Sequence, residues 1–175
     1  YKRQAYMDSI PMVAITGNVP NDLLGRDSFQ EVNITGITMP ITKHNFIVQN
    51  VEDLAAVVRK AFVIANSGRK GPVLIDIPKD VTAAHSEYVK LPRYRIRKLP
   101  KVDDVVFEQA LEVIRRAERP MIYAGGGIIS SNATRELMNF SRHMDIPICC
   151  SMMGLGSVPY DYDLYMGMLC LLYTS

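Results

Sequence analysis

The strongest constraint on the fold of this chain is a strand, helix and strand pattern in its first half. Residues 12–16 form an apolar run closed by Gly17, which is typical of a buried strand. A helix is predicted from Asn50 to about Ser67 because its apolar residues recur at helical spacing, and residues 72–77 (PVLIDI) form the next strand. This order predicts a parallel α/β sheet with right-handed connections.

A second unit with the same pattern follows in the other half of the chain. Its predicted elements are a helix over 103–117, a strand over 120–124, a glycine turn over 125–127, a helix over 131–144 and a strand over 146–150. Val106, Ala110, Val113 and Ala117 share one face of the first of these helices. The tyrosines of the YDYDLY segment (160–165) are predicted to lie in a surface turn.

Periodicity is lost between the two units, over residues 84–100. This segment holds Pro92, Pro100 and a cluster of basic residues, which together predict a solvated linker between domains. We therefore expect a three-layer αβα unit ending at residue 83, a linker over 84–100, and the start of a Rossmann-like domain over 101–175.

Composition excludes several classes of protein. Hydrophobic residues make up 48% and charged residues 22%, which is typical of a globular protein, and a net charge of +2 is too small to attract nucleic acid. No apolar run is long enough for a membrane span, and the first residues lack a signal-peptide pattern, so we expect a soluble intracellular protein, cytoplasmic if its source is bacterial. The three cysteines and three histidines show no disulfide or metal-site spacing.

Two segments directly follow the predicted strands of the first sheet, where ligands of open parallel sheets collect. The first is GNVPNDLLGRDSFQE (17–31), and the second is Pro78-Lys79-Asp80, predicted to be a loop. Phe29, Gln30 and Lys79 are therefore expected to converge on one pocket. Lys79 is either a cation for an anionic substrate or an ordinary exposed lysine, while Gln30 offers hydrogen bonds to a carbonyl or water and Phe29 an apolar wall.

The glycines at 125–127 leave two interpretations open. Bare backbone amides there allow a ligand or phosphate to approach closely, but a glycine-rich turn also occurs for structural reasons alone. The segment departs from the G-x-G-x-x-G fingerprint because position 130 is Ser. Arg69, in a turn between glycines, is equally ambiguous.

Read together, several segments resemble the acetolactate synthase (acetohydroxyacid synthase) large-subunit family. They are, in order, GNVPNDLLGRDSFQE, ITKHN, VEDL, SGRKGPVLIDIPKD, YAGGGI and MMGLGS, and they extend to about Met168. The resemblance implies a three-domain enzyme that uses thiamine diphosphate, Mg²⁺ and FAD to join two 2-ketoacids with loss of CO₂ in branched-chain amino-acid synthesis. Residues 1–83 would end its pyrimidine-binding domain, and residues 101–175 would begin its central FAD-binding domain.

The resemblance also implies roles for individual residues. Phe29 and Gln30 match the pair that lines the reaction pocket, and Lys79 matches a lysine at the substrate channel. The other matched positions are Pro20 and Ser28 at the channel, Arg69 as a flavin contact, and Gly125, Gly126 and Gly127 with Ser151, Met152 and Met153 as segments that hold the rest of FAD.

The family's remaining parts are expected outside this chain. The glutamate that activates thiamine lies upstream in the family and the Mg²⁺ motif lies in the third domain, so we expect an internal fragment that is inactive alone. The family's sites form between subunits, which implies a homodimer or homotetramer and allows a regulatory small subunit.

The end of the chain departs from the family. Cys170–Ser175 replaces an expected flavin-contacting segment, which suggests a truncation or frame change near Cys170.

Two alternatives stay open. One is another thiamine-dependent carboligase, decarboxylase or oxidase, and the other is a non-catalytic nucleotide-binding α/β module.

Overall fold

The structure is a computed structural model that describes residues 2–90, 92 and 101–169. The chain divides into two compact units, Tyr1–Lys98 and Leu99–Ser175. Each unit contains a three-stranded parallel sheet with helices packed on it, so the parallel α/β fold expected from the sequence is confirmed.

The described residues of the first unit form three strands and four α-helices. In order they are α1 (Lys2–Met7), β1 (Met12–Asn18), α2 (Ile34–Thr38), β2 (His44–Ile47), α3 (Val51–Asn66), β3 (Pro72–Pro78) and α4 (Lys79–Ala83), with 3₁₀ turns at Asn21–Leu23 and Met39–Ile41. The strand order is β1-β3-β2, which puts β3 in the centre and pairs it in parallel with both neighbours.

The core of the first unit lies between β3 and α3. Val73 and Ile75 of β3 are fully buried against Ala61 and Ala65 of α3, and Val81 of α4 closes the same cluster. Burying one Val or Ile side chain contributes about 1.5 to 3 kcal/mol, so this contact holds the central strand under the helix. Consequently the carboxyl ends of the strands are rigid supports for the loops that follow them.

Lys43 joins the start of β2 to the end of α3. Its Nζ donates hydrogen bonds to the carbonyls of Ile64 and Ser67, at 2.5 and 2.6 Å. A cation at the carboxyl end of a helix is favourable because unpaired carbonyls gather there. Partial burial lowers the pKa of Lys43 below its usual value. The sequence did not indicate β2, because its four residues include the polar His44 and Asn45.

Over residues 101–169, the second unit forms three strands and three α-helices. They are α5 (Asp104–Arg116), β4 (Ile122–Ala124), α6 (Gly126–Ser131), α7 (Thr134–Met144), β5 (Ile148–Cys150) and β6 (Tyr165–Met168), with a 3₁₀ turn at Met152–Gly154. Its parallel sheet has the order β4-β5-β6. Ala124, Ile148, Cys150 and Val158 form its core.

Three predictions for the second unit are wrong in detail. Gly126 and Gly127 lie in α6 rather than in a turn, and the helix predicted over 131–144 is interrupted at Asn132, whose left-handed backbone (φ 56°) ends α6. Tyr162 is buried in the core cluster rather than on a surface turn, and its hydroxyl donates to the Met138 carbonyl at 3.0 Å. Tyr165 begins strand β6, whereas Tyr160 is exposed as expected.

Helix α5 has the predicted bounds within one residue, and Asp103 caps it by accepting a hydrogen bond from the Val105 amide at 3.1 Å. Its predicted apolar face is exposed, with Val106 at 55% and Val113 at 71% of full accessibility. The half-buried residues are Leu111 and Ile114 instead. Helical spacing identified the helix but not the face that packs.

Part of the predicted linker and the divergent end of the chain lie outside the described residues. Residues 84–90 are described, and they have neither helix nor strand. The basic residues between 93 and 98, and the segment 170–175, are not described. No described helix is long and apolar enough to cross a membrane.

We predict that Gly154→Ala destabilises the protein by about 3 kcal/mol, whereas Gly127→Ala is neutral or slightly stabilising. A Cβ atom at Gly154 would overlap the carbonyl oxygen of Ala124, which is backbone and cannot rotate away, while a Cβ at Gly127 meets nothing within 4 Å. Thermal unfolding of both variants measures the difference. Equal melting temperatures would contradict the close packing of Gly154 on the end of β4.

Candidate functional site

An open cavity of about 750 Å³ lies at the carboxyl ends of β1 and β3 in the first unit. Five residues singled out from the sequence line it together, namely Pro20, Ser28, Phe29, Gln30 and Lys79. Thr16, Asn18, Leu23, Val32, Ile77 and Thr82 complete most of the wall. The two segments that follow the strands therefore converge on one cavity, as their positions in the sequence indicate.

Lys79 contributes the positive charge of the cavity wall. It is the first residue of α4 rather than part of a loop, because β3 continues to Pro78 and the helix begins at once. Its ammonium group is exposed and makes no hydrogen bond or ion pair within the described part of the chain. A cation without a protein partner is available to an anionic ligand.

Gln30 has an unusual backbone conformation. Its φ is +61°, in the left-handed region that residues other than glycine rarely adopt. Such a conformation costs about 1 to 3 kcal/mol and occurs preferentially at functional sites. Next to it, the Phe29 side chain is 86% exposed, so a large apolar ring stands at the open side of the cavity.

Glu31 folds the end of the first loop back on itself. Its carboxylate accepts hydrogen bonds from the Gly25 amide, from the Ser28 amide at 3.0 Å and from the Ser28 hydroxyl at 3.0 Å. The backbone hydrogen bonds from Gly25 and Ser28 hold the pKa of Glu31 below its usual value. Glu31 thus fixes the short turn that carries Ser28, Phe29 and Gln30, a role that sequence reasoning missed.

Asp76 lies directly beneath the cavity. It is fully buried in β3 and accepts hydrogen bonds from the Thr16 hydroxyl at 2.7 Å and the Asn18 amide at 2.5 Å, both on β1. Asn18 in turn accepts from the Val19 backbone amide at 2.8 Å. The carboxylate therefore fixes the start of the first loop. A single Asp within the apolar run PVLIDI was the available signal for it.

Asn21 and Asp80 link the first loop to α4. The Asn21 amide nitrogen atoms donate to both carboxylate oxygens of Asp80, from the backbone at 3.2 Å and from the side chain at 2.9 Å. Desolvation raises the pKa of Asp80, but the hydrogen bonds from Asn21, together with those from the Asp80 and Val81 backbone amides, leave this pKa below its usual value.

Arg69 lies in the turn before β3 and does not line the cavity. Its guanidinium donates from Nε to the Ser9 hydroxyl at 2.9 Å and from Nη2 to the Met7 carbonyl at 3.3 Å. The structure therefore gives Arg69 a role in holding the turn between α1 and β1.

The glycines and the Ser-Met-Met segment singled out in the second unit lie side by side. A Cβ atom at Gly126 would come within 2.9 Å of the Met153 carbonyl oxygen, and one at Gly125 within 3.8 Å of the Ser151 hydroxyl. The space above Gly127 is open, and the Met152 side chain is 71% exposed. We call this surface, formed by residues 125–127 and 151–153, the glycine–methionine ledge.

Metal ligands do not gather in the part of the chain that the structure describes. No group of three or more His, Cys, Asp or Glu side chains there is arranged to hold a metal ion.

Known proteins match the chain over most of its length. The family model for the central domain of thiamine pyrophosphate enzymes matches residues 107–175. The acetolactate synthase large subunit of Corynebacterium glutamicum is 47% identical over 169 residues, and acetolactate synthase 2 of Nicotiana tabacum is 43% identical over 172. These alignments cover 94% of this chain but only 27% and 25% of the two relatives.

A solved structure shows the same fold. The X-ray structure of a protein from Mycobacterium smegmatis, described as a thiamin diphosphate-dependent enzyme, aligns with 95% of this chain and 32% of its own, with a TM-score of 0.76. Sequence identity is 23%, so this similarity supports the fold alone.

We predict that the turn carrying Phe29 and Gln30 loosens as the pH falls below 4.5, which is the ordinary pKa of a glutamate side chain such as Glu31. The pKa of Glu31 is lower in the folded protein than in the unfolded chain. Its carboxylate therefore stabilises the turn fully above the unfolded-state pKa, and this stabilisation is lost as the pH falls through the folded-state pKa. Hydrogen exchange at the Gly25 and Ser28 amides, corrected for intrinsic rates, measures this. E31Q should exchange faster at pH 7, whereas unchanged protection would remove Glu31 from this role.

Proposed function

Because this chain belongs to the acetolactate synthase large-subunit family, we propose that it forms part of a thiamine diphosphate-dependent carboligase. The full-length enzyme would condense pyruvate with pyruvate or 2-ketobutyrate, with loss of CO₂, in branched-chain amino-acid biosynthesis. The observation that carries the proposal is the cavity in which Gln30 and Lys79 lie on facing segments. The chain spans about a quarter of its relatives, so this activity belongs to a longer protein.

The two units correspond to parts of two domains in this proposal. Residues 1–83 would be the end of the pyrimidine-binding domain and residues 101–175 the beginning of the central FAD-binding domain, joined by the linker over 84–100. The family model for the central domain, which matches residues 107–175, supports the second assignment. The parallel sheet of the first unit, with its cavity at the carboxyl ends of the strands, supports the first.

The cavity residues suit a negatively charged ketoacid. Lys79 would bind the substrate carboxylate, since its ammonium is free of protein partners in the described part of the chain. The Gln30 amide would orient the keto oxygen by donating a hydrogen bond, and its fixed left-handed backbone reduces the freedom of that group. Phe29 would help to exclude water from the open side.

Thiamine diphosphate supplies the carbanion chemistry of such enzymes when it is bound. The described residues offer an apolar and hydrogen-bonding wall to a ring system but no carboxylate cluster for a metal-bound diphosphate. We therefore propose that Mg²⁺ and the diphosphate group are held by parts of the full-length protein outside this chain. The residues here would bind and orient the ketoacid and shield it from water.

The glycine–methionine ledge fits a flavin nucleotide. Backbone without side chains at Gly125 and Gly127 allows close approach of a phosphate or ribose, and the exposed Met152 side chain offers an apolar contact to a ring. We propose that FAD is held at the ledge. The family resemblance separately implies that Arg69 contacts the flavin in the full-length protein. Joining two ketoacids with loss of CO₂ involves no net oxidation, so this flavin would be needed for structure or regulation rather than turnover.

We further propose a homodimer or homotetramer with a regulatory small subunit as a possible partner. The family resemblance implies that active sites form between subunits. The exposed Phe29 ring at the open side of the cavity agrees with a site that another subunit completes.

We predict that Lys79→Ala and Gln30→Ala in the full-length protein each lower kcat/KM for pyruvate by about 10²-fold, because each removes a group that binds or orients the ketoacid. Lys90→Ala, which removes an exposed lysine from the segment after α4, is the matched control and should keep the wild-type value. Assays with thiamine diphosphate, Mg²⁺ and FAD present measure acetolactate.

The identity of the product tests the function itself. Acetolactate from pyruvate supports the carboligase, whereas acetaldehyde or acetyl phosphate would show a decarboxylase or oxidase instead. Normal kcat/KM in both variants would remove Lys79 and Gln30 from the site even if acetolactate is formed.

We predict that Gly127→Leu lowers the flavin content of the purified full-length protein at least tenfold without unfolding it, because the side chain fills the open space above the ledge. Ser130→Leu, an exposed position in the same helix, is the matched control. Visible absorbance of bound flavin is the readout. Full flavin content in Gly127→Leu would place the flavin elsewhere.

A further inference from the structure

The wall of the cavity that carries Pro20 and the wall that carries Lys79 are joined by one pair of side chains. Asn21 follows Pro20 in the first loop, and Asp80 follows Lys79 in α4. Two hydrogen bonds connect them, from the Asn21 backbone to Asp80 Oδ1 at 3.2 Å and from Asn21 Nδ2 to Asp80 Oδ2 at 2.9 Å. Each residue of the pair is therefore next in the chain to a residue that lines the cavity.

The orientation of the Asn21 side chain is fixed by its surroundings. Its Nδ2 also donates to the Gln49 carbonyl at 3.1 Å, so both of its acceptors require the nitrogen at this position. Rotating the amide by 180° would place Oδ1 against a carboxylate and a carbonyl. The Asn21 Oδ1 atom is buried and has no hydrogen-bond partner among the residues that the structure describes. Leaving it unpaired is unfavourable, and the two hydrogen bonds donated by Nδ2 offset that unfavourable free energy.

Pro20 is connected to α4 through this pair. Proline has no N–H group and a fixed φ, here −56°, so it cannot anchor itself through a backbone donor. On its amino-terminal side the chain is fixed through Asn18 and Asp76, and on its carboxyl-terminal side through Asn21 and Asp80. The Pro20 carbonyl also accepts a hydrogen bond from the Leu23 amide at 3.0 Å, but that bond lies within the loop, whereas the bonds between Asn21 and Asp80 connect the loop to the helix of Lys79.

The two anchors differ in what their loss would do. Asp76 is fully buried between strands, so removing its partners would damage the sheet itself. Asp80 is exposed on a short helix, and a solvated hydrogen bond there contributes little to global stability. A change at Asn21 or Asp80 is thus expected to alter the cavity while leaving the fold intact.

We propose that Asn21 and Asp80 are a positioning pair that sets the separation between Pro20 and Lys79, and thereby the affinity of the site for its 2-ketoacid. This inference rests on the proposed function and deepens it. Neither residue touches the substrate in this account. They act by holding Pro20 across from the lysine that binds the carboxylate.

Exchanging the two side chains tests the pair in the full-length protein. N21D places two carboxylates together, whereas the double variant N21D/D80N again pairs one carboxylate with one amide. We expect N21D to raise KM for pyruvate about tenfold with kcat changed less than twofold. The double variant should recover part of that loss, because it again pairs a carboxylate with an amide but does not restore the hydrogen bond to the Gln49 carbonyl. N66A is the matched control, since Asn66 is exposed and also donates to a carbonyl, that of Phe62, away from the cavity.

Hydrogen exchange of residues 19–31 in the same proteins gives a readout that does not need catalysis. Faster exchange in N21D, with recovery in the double variant, is the expected result. If N21D leaves both hydrogen exchange and KM unchanged, or if the double variant shows no recovery, the proposal that Asn21 and Asp80 position the site is wrong. Faster exchange with an unchanged KM would also overturn it, because the pair would then hold the loop without positioning the site. A wild-type protein that forms no acetolactate would instead refute the proposed function, and the exchange data would still decide whether the pair holds the loop.

Discussion

The first unit depends on the buried carboxylate of Asp76 at the end of its central strand. A buried polar group is unfavourable unless hydrogen bonds satisfy it, and here Thr16 and Asn18 of the neighbouring strand donate to the Asp76 side chain. The two strands therefore end in a fixed register, with the Asn18 side chain also holding the Val19 amide. The positions of the first loop and of the cavity follow from this register.

Carboxylates hold the rest of the site in place. Asp80 fixes the loop at Asn21, and Glu31 closes the turn that carries the strained Gln30. Hydrogen bonds at three points fix the loop, although it has no large apolar core of its own. These bonds compensate the unfavourable free energy of the left-handed Gln30 backbone. In this arrangement the acidic residues hold the loop and helix from which the exposed Lys79 and Gln30 reach the cavity.

Sequence patterns predicted the long elements well and the short ones poorly. Periodicity predicted β1, β3 and α3 clearly, because these elements are long or strongly apolar. Four-residue β2 and β6 gave no such signal, and the break at Asn132 required a left-handed residue that periodicity does not register. For α5 the spacing gave the bounds but not the buried face, because burial depends on what the helix meets.

The sequence by itself determined the parallel α/β class, the family, and the convergence of Phe29, Gln30 and Lys79 at strand ends, since these follow from periodicity, chain order and motif. Only the tertiary structure decided that Asp76, Asp80 and Glu31 hold the cavity, and that Arg69 holds the α1–β1 turn. For Asp76, Asp80 and Arg69 the physical reason is that their hydrogen bonds join residues about 60 positions apart and so depend on distance and direction in space. The spacing of residues along the sequence specifies neither that distance nor that direction. The bonds of Glu31 are local, but they depend on the backbone conformation of the loop that brings the Gly25 and Ser28 amides to its carboxylate.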